Sequence, residues 1–333
     1  MRVVLCYPVE PRHVDQISAV SPSVEVVDAG QERVARELFD ADIFIGHGKV
    51  PIPWTEIVAK KRLRWIQSSA AGLDHCLTQE VIESDILVTS ASGLFANQVA
   101  EQTFALLFGL LRNMPAFYLA QQKREFHRQP TDELHAKTVG IIGFGGNGRR
   151  IAEVLAPFRV NLWAADRFPS NCPAHVERLY GSDEWSRALP QTDILIITLP
   201  LNAETQGLIN LETMNRLRRG AILINVARGP VVIESDLIEA IESGQLGAAG
   251  LDVTEVEPLP KASRLWDLPT VVITPHVGAQ SRHRVNITTD FAAENLRRFL
   301  NRQPLLNLVD MRLGFPRPEN HAVLSANWRP EYS

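Results

Sequence analysis

Cysteine is scarce in this chain: Cys6, Cys76 and Cys172 are an odd number at wide spacings, with no CxxC pair. That excludes a disulfide framework and offers no zinc-ligand spacing, so a reducing, cytoplasmic setting is expected. Cys6 falls inside the first apolar run and reads as a small core residue. Long apolar runs are also missing. The longest strongly apolar stretch, Phe104 to Leu111, lies between Glu101 and Arg112 and covers about half of the ~20 residues that a membrane span needs. It reads as a buried helix. After Arg2 only four apolar residues follow in a row, too few for the core of a secretory signal, so the N-terminus reads as a first strand. Positive charge is not in excess either. Lys and Arg number 34 against 38 Asp and Glu, a net charge of −4, which disfavours a general nucleic-acid or anionic-membrane surface.

What is present is an ordinary globular composition, 45% hydrophobic and 22% charged over 333 residues, long enough for two domains or one large one. Short apolar runs at 2–7, 24–28, 42–46, 64–69 and 86–91 are separated by polar, helix-compatible segments. Such alternation predicts βα units and a parallel sheet. Helical periodicity follows over about 97–120, with Asn97 as its expected cap. A second set of six runs begins at 138 and continues at 160–166, 194–200, 221–227, 248–253 and 270–275. These predict a second, doubly wound sheet. The segment 281–302 is helical again, and a Pro-rich, strandless tail runs to Ser333, its Trp328 and Tyr332 expected either to pack on the first domain or a neighbouring subunit or to be disordered.

The second set opens on a glycine motif. Gly143-Phe144-Gly145-Gly146-Asn147-Gly148 is GxGxxG, and it follows the strand TVGIIG and starts the helix NGRRIAEVLAPF. Alone the hexamer is weak evidence, but in this setting each glycine has a task. Gly143 permits the tight turn, Gly145 lets backbone approach a pyrophosphate, and Gly148 lets the helix lie close to the strand. Unpaired N–H groups at the helix start then face the anion. Asp166 ends the next strand, 18 residues past the last glycine, placed to accept hydrogen bonds from the adenosine ribose. This favours NAD, although Arg167 beside it leaves NADP open. Thr198 and Pro200, closing the run ILIITLP, join the cofactor set. The expectation is a Rossmann-type domain.

In a parallel sheet the residues just past each strand gather at one edge, where ligands bind. Arg228 follows AILINVA, Glu255 and Glu257 follow AAGLDV, and His276 follows TVVITP. An arginine fork holds a carboxylate and polarises an adjacent ketone. A histidine delivers a proton near neutral pH, and a neighbouring carboxylate, Glu257, orients the ring. That set suits reduction of a 2-keto acid. Gly278 and Ala279, small residues after His276, leave room for a nicotinamide ring. Taken singly, Arg228 also reads as a capping salt bridge and Glu257 as a solvated acid.

The stretches SSAAGLDH (68–75), VAEQTFALLFGLLR (99–112), VGIIGFGGNGRRIA (139–152), LPLNAETQGLIN (199–210), GLDVTEVEPLP (250–260) and TPHVGAQS (274–281) complete the pattern. With LRRGAILINVARGPVVIESDLIEAI (217–241) they make the chain resemble the D-isomer-specific 2-hydroxyacid dehydrogenases over nearly its whole length. The resemblance implies Arg228 as substrate-binding and catalytic, Glu257 as partner carboxylate and His276 as acid/base. It implies that Asp252 and the backbone around Val226 and Ala227 hold the nicotinamide carboxamide, and that the amides of Ala71 and Gly72 face the substrate carboxylate. A discontinuous, flavodoxin-like substrate-binding domain (1–98 and 286–333) around an NAD-binding domain (99–285) follows, with a homodimer contact in the 97–120 region. Asn147 departs from the apolar residue more usual in the glycine loop, which puts the start of its helix in question.

Lys49 follows the third strand and is a candidate contact for a second negative group on the substrate, against the plainer reading of a solvated lysine. Glyoxylate or hydroxypyruvate is the favoured substrate. The alternatives are a phosphoglycerate dehydrogenase-type enzyme and an NAD(H)-sensing, corepressor-like binding module. A formate dehydrogenase-like activity is disfavoured, because that chemistry prefers glutamine where this chain has Glu257. No metal is expected.

Overall fold

The computed structural model describes residues 1–324; the tail residues Trp328 and Tyr332 lie outside the described residues. The chain divides into two compact units, Met1–Phe95 with Ser281–Ser333, and Ala96–Gln280.

In the first unit the strands β1 (Arg2–Cys6), β2 (Glu25–Asp28), β3 (Ile43–Gly46), β4 (Trp65–Ser68) and β5 (Leu87–Thr89) form one parallel sheet in the order β2-β1-β3-β4-β5. That is the flavodoxin-like order. Alternate residues supply two cores, as the two-residue period of a strand requires. Val4, Phe44, Ile66 and Val88 face one way with Val34, Leu38 and Ile57. Val3, Leu5, Ile43, Ile45 and Trp65 face the other with Ala292 and Leu296. The latter two belong to the helix Arg284–Leu300, so a late segment of the chain covers one face of the first sheet. Cys6 is fully buried, and burial pushes its thiol up to about 11, that of an inert core residue.

That late helix is locked by a buried amide. Asn295 Nδ2 donates to Gln67 Oε1 at 2.8 Å and to the Leu306 carbonyl at 3.0 Å, while Leu306 N donates to Asn295 Oδ1 at 2.8 Å. Asn295→Ala leaves the buried N–H and C=O of Leu306 without these partners. It is expected to cost about 2–4 kcal/mol of stability, read as a lower urea midpoint; an unchanged midpoint would show that the lock contributes nothing. The Pro-rich tail is not strandless: Val309–Asp310 pairs antiparallel with Phe315–Pro316. Two residues per strand are too few to leave an alternation pattern.

In the second unit β6 (Thr138–Ile142), β7 (Asn161–Ala165), β8 (Arg178–Tyr180), β9 (Ile194–Ile197), β10 (Ala221–Asn225), β11 (Leu246–Leu251) and β12 (Val271–Ile273) are all parallel, in the order β12-β11-β10-β9-β6-β7-β8. The order reverses between β6 and β9, and ligands of such sheets bind at that reversal. Seven strands stand where the sequence suggested six. The extra one, β8, is a three-residue edge strand, RLY, too short to leave an alternation pattern. β12, written Val-Val-Ile, is the opposite edge strand and only half-buried.

The expected helix over 97–120 is two helices, Ala96–Leu111 and Met114–Gln122, bent by 68°. Asn113 adopts a left-handed conformation at the break, and Pro115 begins the second helix. A proline at a helix start loses no hydrogen bond, whereas inside one it would. Asn97 lies within the first helix and does not cap it. That helix packs on β11 at Gly250, where an added Cβ would meet Leu106 Cβ at 2.9 Å. Among the described residues no single helix is long and apolar enough to cross a membrane.

Candidate active site

Three glycines of the loop after β6 have three different neighbours. A Cβ on Gly143, whose φ is +95°, would meet the Thr198 carbonyl carbon and oxygen at 2.8 Å. One on Gly148 would stand 2.2 Å from the Gly143 carbonyl oxygen, so the helix Gly146–Leu155 lies on the strand end as expected. A Cβ on Gly145 would meet nothing within 4 Å. This is the open side of the turn, at the helix start, where N–H groups are available to a pyrophosphate. Asn147 is half-buried in the first turn and the helix begins regularly, with Gly145 as its cap. The turn is tied to both neighbouring strands. Gly143 N donates to the Ala165 carbonyl of β7 at 2.9 Å, and Thr198, just past β9, donates its N–H to the Ile142 carbonyl at 2.9 Å and its hydroxyl to the Gly143 carbonyl.

Asp166, at the end of β7, has its carboxylate fixed by backbone. Phe144 N donates to Oδ2 at 2.7 Å and Phe168 N to Oδ1 at 2.8 Å. Arg149, which the sequence reading passed over, braces the same corner. Its guanidinium lies 4.7 Å from the centre of the Phe144 ring and donates to the carbonyls of Ser170 and Asn171 at 2.7 and 2.9 Å. Burial holds it below the ordinary arginine value. Pro200 is half-buried in the loop after β9.

At the other half of the sheet three neighbouring strands carry the candidate reactive groups. Asn225↔Leu251 and Leu251↔Ile273 are register partners across β10, β11 and β12, so Arg228, Glu257 and His276 all follow one edge. The Arg228 turn is shaped by buried Asn225, which accepts from Ala227 N at 3.0 Å and donates to the Arg228 carbonyl at 3.1 Å. Arg228 Nη1 donates to the Ala227 carbonyl at 2.7 Å. Val226 and Ala227 are buried beside it. Gly229 presses this turn onto the next loop: a Cβ there would stand 1.8 Å from the Thr254 carbonyl oxygen. No hydrophobic period marks Asn225 or Gly229; the first is revealed by the bonds of its own turn and the second by its contact with the Thr254 loop.

Two glutamates follow β11, and the structure separates them. Glu255 accepts from Glu234 N at 3.0 Å, at the start of the helix Glu234–Glu242. Glu257 reaches His276: Oε2 lies 2.8 Å from Nδ1, and Thr254 N donates to Oε1 at 3.2 Å. His276 itself has a φ of +53°, uncommon for a residue with a Cβ. Three consecutive amides compensate. His276 N donates to the Asp252 carbonyl at 2.8 Å, Val277 N to Asp252 Oδ1 at 3.0 Å and Gly278 N to Oδ2 at 2.8 Å. Such runs of N–H groups make a concave anion cradle, here filled by the protein's own carboxylate. Thr274 Oγ1 also donates to Asp252 Oδ1 at 2.6 Å, and Gln102 donates to Thr274.

Asp252 is thus a buried clamp on the histidine turn, a role the resemblance did not suggest. Gly278 is small for that reason: its Cβ would stand 2.7 Å from Asp252 Oδ2. Ala279 is half-buried beyond it.

The remaining predicted substrate residues belong to the first unit. Lys49 follows β3 and is exposed, its N–H held by Gln31 Oε1 at 2.7 Å; Ala71, exposed, and Gly72, half-buried, follow β4. Because β3 and β4 are parallel neighbours, these three share the carboxyl edge of the five-stranded sheet. Among the described residues no cluster of His, Cys, Asp and Glu suits a metal ion.

The second unit therefore has the architecture and glycine turn of a Rossmann dinucleotide domain, with a histidine–carboxylate pair and an arginine at one strand edge. The family model for the NAD binding domain of D-isomer specific 2-hydroxyacid dehydrogenases matches residues 104–278, and the chain belongs to that family. It is 32% identical to a glyoxylate/hydroxypyruvate reductase A of Serratia proteamaculans over 79% of this chain and 85% of that one. To a D-3-phosphoglycerate dehydrogenase of Bacillus subtilis it is 30% identical over 87% of this chain but only 55% of the longer relative. An NADPH-dependent glyoxylate/hydroxypyruvate reductase from Sinorhizobium meliloti, crystallised with NADP and sulfate, superposes with a TM-score of 0.80 at 28% identity, covering 94% of this chain and 99% of that chain. The protein is an NAD(P)-dependent oxidoreductase acting on CH–OH donors.

Proposed function

We propose that the protein reduces a small 2-keto acid, glyoxylate or hydroxypyruvate, with NADH. The observation that carries this is the 2.8 Å pair of His276 and Glu257 at the strand edge shared with the Arg228 turn. Arg228 binds the substrate carboxylate and polarises the adjacent carbonyl through its planar fork. His276 directs Nδ1 to Glu257, so Nε2 is the atom that hands its proton to the carbonyl oxygen. Glu257 fixes the ring and stabilises the protonated imidazole. The nicotinamide, when bound, supplies the hydride. Asp252 Oδ2, with one bond from Gly278, retains acceptor capacity for the carboxamide, which Val226 and Ala227 flank. In the five-stranded unit, this reading assigns the amides of Ala71 and Gly72 and the ammonium of Lys49 to the substrate.

The chain fits a dinucleotide because Gly145 leaves space where a side chain would block it, and because Asp166 is fixed beside the glycine turn. The Asp166 carboxylate accepts ribose hydroxyls and repels a 2′-phosphate, which supports NAD over NADP. Three free thiols fit a reducing, cytoplasmic setting. Met114, Tyr118 and Leu119 are 55, 61 and 59% exposed, an apolar surface that supports a homodimer contact in the 97–120 region.

The test is a rate survey of glyoxylate, hydroxypyruvate, phosphohydroxypyruvate and pyruvate with NADH and NADPH. The expected result is the highest kcat/KM for one of the first two with NADH. A tenfold advantage for phosphohydroxypyruvate would instead establish the phosphoglycerate dehydrogenase-type reading. Tight NADH binding with no substrate above background would leave only the binding-module reading.

A further inference from the structure

Two arginines stand close to Asp166, and both are engaged by the protein. Arg149 donates to the carbonyls of Ser170 and Asn171. Arg167, the next residue after Asp166, pairs with Glu204. Glu204 lies in the loop after β9, and Arg167 follows β7; in the sheet these strands flank β6, which carries the glycine turn. The ion pair therefore joins the segments on the two sides of that turn.

The loop that carries Glu204 is braced by its own side chains. Asn202 Oδ1 accepts from Glu204 N and Thr205 N at 3.0 and 3.1 Å, and Thr205 Oγ1 donates to the Pro200 carbonyl at 2.7 Å. Side-chain bonds of this kind fix a turn locally. Glu204 is consequently held where Arg167 finds it, even though both side chains are solvent-accessible, at 65 and 41%.

We infer that Glu204 is a positioning residue for cofactor selectivity: by pairing with Arg167 it withholds that guanidinium from the 2′-phosphate of an NADP-type dinucleotide. The inference rests on the reading of Asp166 as selecting NAD, and it adds a second element to that selectivity. A phosphate monoester carries about −1.5 to −2 charges near neutral pH. To accept it beside Asp166 the protein needs a cation, and Arg167 is the adjacent one. While Glu204 neutralises Arg167, the other cation near Asp166 is Arg149, whose Nη1 and Nη2 are bonded to the Asn171 and Ser170 carbonyls, so a 2′-phosphate gains no charge partner from Arg167. An NAD-type ribose needs no cation and is indifferent to the pair.

The experiment measures NAD and NADP dissociation constants by calorimetry, together with kcat/KM for NADH and NADPH on glyoxylate. It compares wild type with Glu204→Gln, Arg167→Ala, the double variant and Glu204→Asp. Glu204→Gln is expected to tighten NADP about three- to fivefold, the scale of one exposed charge pair, with NAD unchanged within about twofold. Glu204→Asp, which keeps the charge, retains the wild-type ratio. In the Arg167→Ala background the Gln substitution brings no gain, because Glu204 acts through Arg167. A gain of equal size in that background, or no gain in either, overturns the inference. Wild type binding NADP as tightly as NAD overturns the Asp166 reading instead, so the two failures are distinct.

Discussion

His276→Ala is expected to lower keto-acid turnover by about 10²–10⁴-fold, the range for loss of a positioned general acid, while NADH binding stays within about threefold. On the proposed mechanism the ring donates from Nε2, because Nδ1 is committed to Glu257 at 2.8 Å. Its backbone, held by three amide bonds to Asp252, does not depend on the imidazole for its shape. The alanine variant therefore keeps the turn and loses the proton. Glu257→Gln retains a hydrogen-bond acceptor but not the charge, and should fall between wild type and His276→Ala. Steady-state kinetics and a fluorescence titration with NADH separate the two effects. If His276→Ala turned over like wild type, the histidine would leave the mechanism.

Arg228→Ala should be comparably severe but with a different signature: KM for the keto acid rises, kcat falls, and kcat/KM drops by about 10²-fold or more. On the proposed mechanism, removing the guanidinium removes both the anchor for the substrate carboxylate and the polarising charge beside the carbonyl. Arg228→Lys should restore only part of the loss. Nη1 is already bonded to the Ala227 carbonyl at 2.7 Å, which orients the guanidinium, and on the proposed mechanism the same group also contacts the substrate. A single ammonium cannot do both tasks in that geometry. Full recovery by lysine would mean that only the charge matters at this position.

The parts of this molecule legible in its sequence are those written locally. The glycine hexamer, its preceding strand and its following helix are contiguous, so the roles of Gly143, Gly145 and Gly148 are readable from spacing. The strand-end positions of Arg228, Glu257 and His276 are readable because a parallel sheet aligns its carboxyl ends. What was not legible depends on pairs distant in the chain. Glu255 and Glu257 are indistinguishable until the helix start at Glu234 takes one and His276 the other. Gly229 looks like any turn glycine until the Thr254 backbone is found against it. Asp252 reads as a ligand residue, and only the fold shows it clamping Val277 and Gly278. The helix break at Asn113 lies within an unbroken periodic pattern, where Pro115 was the one local warning.

The helix Arg284–Leu300, which covers one face of the opening sheet, also sets an order of events during synthesis. The first 95 residues emerge early but must wait for that helix before their second hydrophobic face is covered. At a translation speed of about 5–20 residues per second the delay is about 10–40 s. Meanwhile the inserted unit, continuous from Ala96 to Gln280, emerges whole and is able to fold first. The nascent chain thus carries a half-covered sheet on the ribosome, the stage at which it has most need of a chaperone.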